Sequence, residues 1–229
     1  GMSAMAGFDG TLPSEYPATF DDIDPPAYDS HARLAHMGKD KIHAQVLYPN
    51  VGGFGSQVFI KLKDADLKLQ CIRAYNDFLV DFSAADSNRL LPMTALPFWD
   101  IEQTVAEVKR CIDLGHRGLV FPSQPQAFGM PALADSAWDP LWAVAEEAGI
   151  PINFHIASDA DYSPEEVFKD SALLGPRAHF AFASSTAFVA NAKCMGEVIF
   201  GGVCHRFPKL NFVSVESCVS WIPNLLRAT

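Results

Sequence analysis

The sequence predicts a parallel α/β fold, and three observations predict it. Short apolar runs alternate with helical patterns from Ile42 onward. The helical stretches Ile101–Leu114 and Trp138–Ala148 each close on a glycine, Gly115 and Gly149, and an apolar run follows at once, which is the αβ half of a βαβ unit. Two of the runs end in a polar residue, His155 and Glu216. In parallel α/β folds, the carboxyl ends of strands are where ligands and metals are held.

Taken in order, Phe8–Pro26 is rich in Gly, Pro and acids without a period, which predicts an irregular arm. Asp29 or Ser30 caps a short helix, His31–Lys39, with Leu34 and Met37 on one side. The expected organisation is this arm and helix over residues 1–40, then one α/β domain over 41–229. Ala44–Tyr48 is a strand, followed by the Gly-rich loop Pro49–Ser56. A helix spans Leu67–Phe82, with apolar residues at 71, 75, 78 and 82. Leu91–Leu96 is a strand that ends in Pro97, Phe98 and Trp99. The next helix, Ile101–Leu114, has apolar residues at 101, 105, 108 and 112. Arg117–Phe121 is a strand, followed by a loop to Pro131 and the helix Trp138–Ala148. Pro151–Ser158 (PINFHIAS) is an apolar strand that turns polar at His155. Ser163-Pro-Glu-Glu166 spells a capping box with proline at the first helical position, so a helix starts there. Ala178–Val203 predicts two helices with a break, Asn211–Val215 a fifth strand, and Trp221–Arg227 the start of another helix.

With 229 residues and 49% hydrophobic content, the chain can bury a large core. Its net charge of −10 argues against nucleic acid and anionic membrane as partners, because phosphates attract Lys and Arg. The five cysteines are scattered, with no CxxC pair, which predicts reduced thiols and a cytoplasmic protein. Gly1–Gly10 lacks the basic start and apolar core of a secretory leader, and no apolar run approaches the roughly 18 residues of a membrane span. Two architectures fit the alternation: a (β/α)8 barrel or an open doubly wound sheet. A dinucleotide site would need GxGxxG opening a helix. The loop has glycines at 52, 53 and 55 without the closing one, so it predicts a flexible loop over a pocket.

The segments HAQVLYPNVGGFGS, YNDFLVDF, RLLPMTALPFWD, LGHRGLVF, WDPLWAVAEEAGIPINFHI and HRFPKLNFVSVES together resemble amidohydrolase family 2. This is the branch related to aminocarboxymuconate-semialdehyde decarboxylase. The resemblance runs over nearly the whole chain, and WDPLWAVAEEAGIPINFHI is its most specific part. It implies a TIM barrel, and an incomplete one: the visible strands correspond to strands 2 to 6 of the family, with the chain cut short at both ends. It also implies a metal-dependent hydrolase or decarboxylase acting on a small carboxylated or aromatic-derived compound, with a divalent metal, zinc first, as cofactor. Such sites take an HxH or ExH pair from strand 1, a His from strand 5, often a His after strand 6, and an Asp from strand 8.

Carried over by position, His155 matches the strand-5 histidine as catalytic residue and metal ligand. Glu216 stands where the strand-6 histidine would be, as a second ligand, a water-orienting group or a holder of a neighbouring His. The alternative for Glu216 is a plain strand-end charge paired with an arginine such as Arg206. Asp29-Ser30-His31 imitates HxH in spelling but opens a helix. Asn50, Phe54, Trp99 and Gln124 sit in loops after strands and are candidate substrate-binding residues, with Tyr48 and Phe98 beside them. The remaining histidines, at 31, 36, 43, 116, 179 and 205, read as surface, cap or strand-start residues.

Two functions from different classes follow: an enzyme of that lineage, or an inactive fragment that only folds, oligomerises or binds a small molecule. Five or six strands in barrel order are expected. Their open edges should be covered by the Met2–Pro26 arm or by a second copy of the chain, making a homo-oligomer. His155 should lie within several ångströms of Glu216. Any metal held by that pair alone should be weak, fade below about pH 6, and support no turnover.

Overall fold

Three aspartates start three of the helices that build the layer outside the sheet. The side chains of Asp29, Asp64 and Asp100 accept from the backbone N–H of Ala32, Leu67 and Gln103, each satisfying one of the donors a helix start leaves open. The computed structural model describes residues 19–50, 52–158, 173 and 175–227. In it, α1 spans Ser30–Lys39, β1 Gln45–Leu47, α2 Ala65–Ser83, β2 Leu90–Thr94, α3 Ile101–Leu114, β3 Gly118–Val120, α4 Asp139–Ala148 and β4 Ile152–His155. Then come α5 over Pro176–Thr186, α6 over Phe188–Phe200, α7 over Val203–Arg206, β5 over Phe212–Val215 and α8 over Ile222–Arg227. The break foreseen in the long helical stretch falls at Ala187. The capping box at 163–166 and the arm up to residue 18 lie outside the described residues. The described end of the arm forms short 3₁₀ turns at Phe20–Asp22 and Pro25–Ala27.

The five strands lie side by side in the order β1-β2-β3-β4-β5, and every neighbouring pair is parallel. Because the order never reverses, the sheet has no switch point and is the barrel alternative, not the doubly wound one. It is curled. The hydroxyl of Tyr48, just past β1, donates to Asn153 Oδ1 on β4 at 3.0 Å, whereas three strand spacings on a flat sheet come to about 14 Å. Alternation puts Met93, Gly118, Asn153 and His155 on the concave face. A Cβ on Gly118 would fall 2.8 Å from Met93 Sδ and 3.0 Å from Asn153 Nδ2, so only glycine lets these side chains cross β3.

The main core lies on the convex side, where Phe98, Phe121, Trp138, Trp142 and Phe154 are fully buried between sheet and helices. A smaller core of Met37, Phe82 and Leu90 fixes α1 against β2 and α2.

One helix face differs from the expected one. On α2 the buried line is Ile72, Asn76, Leu79 and Phe82, while Phe78 is 50% exposed. On α3 the expected line holds, with Val108 buried and Ile101, Val105 and Ile112 packed against the main core, and Thr104, Glu107 and Cys111 are buried beside it. The reason is a polar seam between the helices. Asn76 donates to the Ala95 carbonyl and to Glu107 and accepts the Ala95 N–H, and Glu107 also receives Arg73 and Arg110. With every oxygen of that carboxylate partnered, a charged residue occupies a core position. Burial pushes the Glu107 carboxyl up. The hydrogen bonds from Arg110 and Asn76 and the charge of Arg110 outweigh this and hold it below its usual value. Among the described residues, no helix is long and apolar enough to cross a membrane.

Candidate functional site

His155 is the last residue of β4, and its concave-face position follows from Asn153 two residues earlier. The imidazole is buried, with its side chain 7% exposed. Nδ1 lies 2.8 Å from the carbonyl oxygen of Ile156. A carbonyl only accepts, so Nδ1 carries the proton, and in the neutral ring Nε2 is a bare lone pair. Nε2 faces Glu216 Oε2 at 3.2 Å. Glu216 directly follows β5, whose Val215 is in register with His155. It has a positive φ of 60° and a side chain that is 63% exposed. The Phe54 ring stacks on the imidazole at 3.8 Å and 15°, and Tyr48 meets it edge-on at 5.5 Å. Burial lowers the pKa of His155, while the Ile156 carbonyl and the Glu216 charge pull it back up. The outcome is a value below the ordinary 6.5.

Asn191 of α6 supports the pair from behind. Its amide donates to Phe154 O at 2.8 Å and to Ser214 Oγ at 3.1 Å, tying the ends of β4 and β5 together. Ser214 Oγ also meets Ser217 Oγ at 2.6 Å, bracketing Glu216. The ion pair of Glu216 with Arg206 does not form. Arg206 instead binds Asp139 at 3.0 Å, at the start of α4, and the Ala134 carbonyl ahead of it.

The other expected lining residues are dispersed. Asn50 closes a turn by accepting from Gly53 N–H. Trp99 packs beside Phe98 with Lys68 Nζ 5.2 Å above its ring, on the helix side of the sheet. Gln124 borders a separate cleft of about 420 Å³ with His179, Phe182 and Lys193 of α5 and α6. The Gly-rich loop, expected to be flexible, is packed: Gly52, Gly55, Ser56 and Gln57 are buried. His116 is a strand-start residue, as expected, but buried, with Nδ1 3.0 Å from Thr94 Oγ1 and Nε2 3.2 Å from Asn76 O. Gln57, Asn153 and Asn191 escaped the sequence reading. Asn153 alone carried a hint, as a polar residue two positions before His155 in an apolar strand.

The donor pair suits a cation. Two acceptors facing each other at 3.2 Å repel unless a proton or a metal ion sits between them, and burial disfavours the imidazolium. Among the described residues, no group of three or more His, Cys, Asp or Glu side chains converges. His155 and Glu216 therefore supply two of the roughly three protein ligands a catalytic metal takes.

Residues 34–228 match the amidohydrolase family pattern. Gamma-resorcylate decarboxylase from Rhizobium radiobacter is 27% identical over 156 residues, covering 66% of this chain and 46% of that protein. The chain thus spans about half the length of the curated relatives it matches. An amidohydrolase from Mycobacterium avium subsp. paratuberculosis superposes with a TM-score of 0.70 at 23% identity, over 89% of this chain and 52% of that one. A 5-carboxyvanillate decarboxylase from Novosphingobium aromaticivorans, with bound manganese and a nitrobenzoic acid, superposes at 0.65 and 22% identity, over 98% of this chain and 61% of that one. A 2,6-dihydroxybenzoate decarboxylase in complex with 2,6-dihydroxybenzoate gives 0.62 and 22%, over 85% and 58%. At these identities the structural likeness is one of fold, an incomplete TIM barrel. The match along residues 34–228 carries the family: the chain belongs to amidohydrolase family 2.

Proposed function

We propose that this protein serves the decarboxylation of a small hydroxylated aromatic acid, with His155 and Glu216 at the reacting centre and a divalent metal ion as cofactor. The observation that carries the reading is the facing pair of acceptors, Nε2 and Oε2, with Nδ1 committed to the Ile156 carbonyl. The relatives support it, since those of known activity remove a carboxyl group from an aromatic ring. Bound by His155 and Glu216, a divalent ion would polarise an oxygen of the substrate. The chain's own residues bind and orient. Phe54 and Tyr48 wall the imidazole with aromatic surface, which suits a flat ring and keeps water from one face of His155. Some of the similar decarboxylase structures carry manganese and the resemblance favours zinc, so both ions enter the test.

The test is CO2 release from 2,6-dihydroxybenzoate and 5-carboxyvanillate by the purified chain, with manganese or zinc supplied. Turnover should fall in His155→Ala by more than the roughly 10–100-fold that removing an outer-shell partner of a ligand costs. Glu216→Gln should weaken metal binding with a smaller effect on folding. A second reading, a folded unit that does not turn over by itself, is favoured by the two-donor count. It wins if neither acid is consumed with either ion while the full-length decarboxylase named for each acid consumes its own.

A further inference from the structure

The Gly-rich loop after β1 has a role that the metal pair leaves unexplained. Its key side chain is Gln57, buried at the start of the 3₁₀ turn Gln57–Lys61. The Gln57 Oε1 accepts the Gly55 N–H at 2.9 Å, and Nε2 donates to the Ala157 carbonyl at 2.9 Å. One side chain therefore joins the loop that carries Phe54 to the turn that follows His155. The loop's glycines make room for it. A Cβ on Gly53 would fall 2.6 Å from Gln57 Oε1, and a Cβ on Gly55 would fall 3.0 Å from Pro122 Cα.

The turn it holds is a strained one. Ala157 has φ +63°, a left-handed conformation that costs a side-chain-bearing residue energy. The conformation needs outside support, and the Gln57 bond supplies it on the Ala157 carbonyl. The preceding carbonyl, Ile156 O, is thereby aimed back at Nδ1 of His155. The Ile156 N–H is already spent on Val215 O in the ladder, so the residue is fixed from both sides.

We propose that Gln57 is a positioning residue that locks His155 in the Nδ1-protonated tautomer, leaving Nε2 open toward Glu216, and at the same time presses Phe54 onto the imidazole face. The proposal rests on the reading of Nε2 as the functional atom. It goes beyond that reading by assigning the tautomer to a residue more than ninety positions away in sequence. A metal ligand needs its other ring nitrogen held in this way, and here the holder is a backbone carbonyl that is itself held.

The experiment is ¹⁵N NMR of the histidine rings in the full chain without added metal, at a pH where imidazole is neutral. The His155 signals are assigned by their loss in His155→Ala. In the wild type, His155 should show one tautomer, Nδ1–H, with ring protons shifted by the Phe54 stack. Gln57→Met, which keeps the shape and removes the bonds to Gly55 and Ala157, should move the tautomer ratio toward Nε2–H by about tenfold, the size of one net hydrogen bond. It should also weaken the Phe54 shift. Gln57→Glu keeps the Oε1 acceptor and loses the donor, so it should release the tautomer and keep the stack. An unchanged ratio in folded Gln57→Met overturns the proposal. If that variant does not fold, the wild type decides alone: the Gln57 side-chain N–H should be protected from exchange and close to Ala157, and a freely exchanging amide overturns the proposal. None of these readings depends on metal or turnover. A locked tautomer without CO2 release therefore sinks the functional reading and spares this one, and the reverse result does the opposite.

Discussion

At the scale of single residues, two buried histidines set the pH behaviour. His116 and His155 both have pKa values lowered by burial, below the ordinary 6.5. In the unfolded chain each binds a proton near 6.5 that it refuses when folded, so stability is full above that value and is lost as pH falls toward the lowered ones. The urea midpoint should therefore drop as pH falls below about 6.5, and His116→Gln should flatten the slope. An equal slope in wild type and variant would show that His116 contributes nothing. Gly118 gives a sharper test. Gly118→Ala puts a methyl 2.8 Å from Met93 Sδ and 3.0 Å from Asn153 Nδ2. The cost should be about 1–3 kcal/mol, as for other overpacked positions. It should be accompanied by loss of the Tyr48–Asn153 hydrogen bond, checked by thermal melting and by the tyrosine ultraviolet spectrum.

At the scale of elements, the seam between α2 and α3 is the feature to perturb. Glu107 is fully buried, bonded to Asn76 from α2, and paired with Arg110 and Arg73. Removing one partner of a buried pair typically costs about 3–5 kcal/mol. Here both arginines keep water access, which favours the low end. Glu107→Ala should therefore lose about 3 kcal/mol in urea unfolding, far more than Asp77→Ala at the exposed end of the same network. Equal losses would mean that the seam is not a unit. Because hydrogen bonds and the Arg110 charge hold the Glu107 carboxyl below its usual 4.5, this stability should also vanish as pH falls below that value.

At the scale of the molecule, the curled sheet has two open edges among the described residues, β1 and β5. Val46 is 44% and Val213 is 37% exposed, although a closed barrel fills its interior with such side chains. Apolar residues on open strands invite pairing. We expect the chain to self-associate at micromolar concentration by light scattering, and Val46→Lys to shift it toward monomer. A monomeric wild type would refute this.

The elements were legible because their signals are local. Period-2 and period-3.6 patterns, the cap at Asp29 and the closing glycines at 115 and 149 each act within one turn of chain, and the five strands followed from them, while the alternation left barrel and doubly wound order both open until the sheet itself decided between them. His155 and Glu216 were legible as strand-end residues for the same reason. The sequence could not decide which helix residue turns inward when a polar one is fully partnered: Asn76 displaced the apolar line of α2, and Glu107 joined that of α3, for that reason. Nor could it show that Gln57 meets Ala157, that Phe54 lies on His155, or that Trp99 and Gln124 point elsewhere. Those are contacts between residues far apart in the chain, and they exist only once the sheet has curled. Local chemistry determined the elements and named the two residues facing each other in the mouth. Tertiary packing alone decided the tautomer, the stacking and the partner of each buried charge, because each depends on distances that no spacing in the sequence encodes.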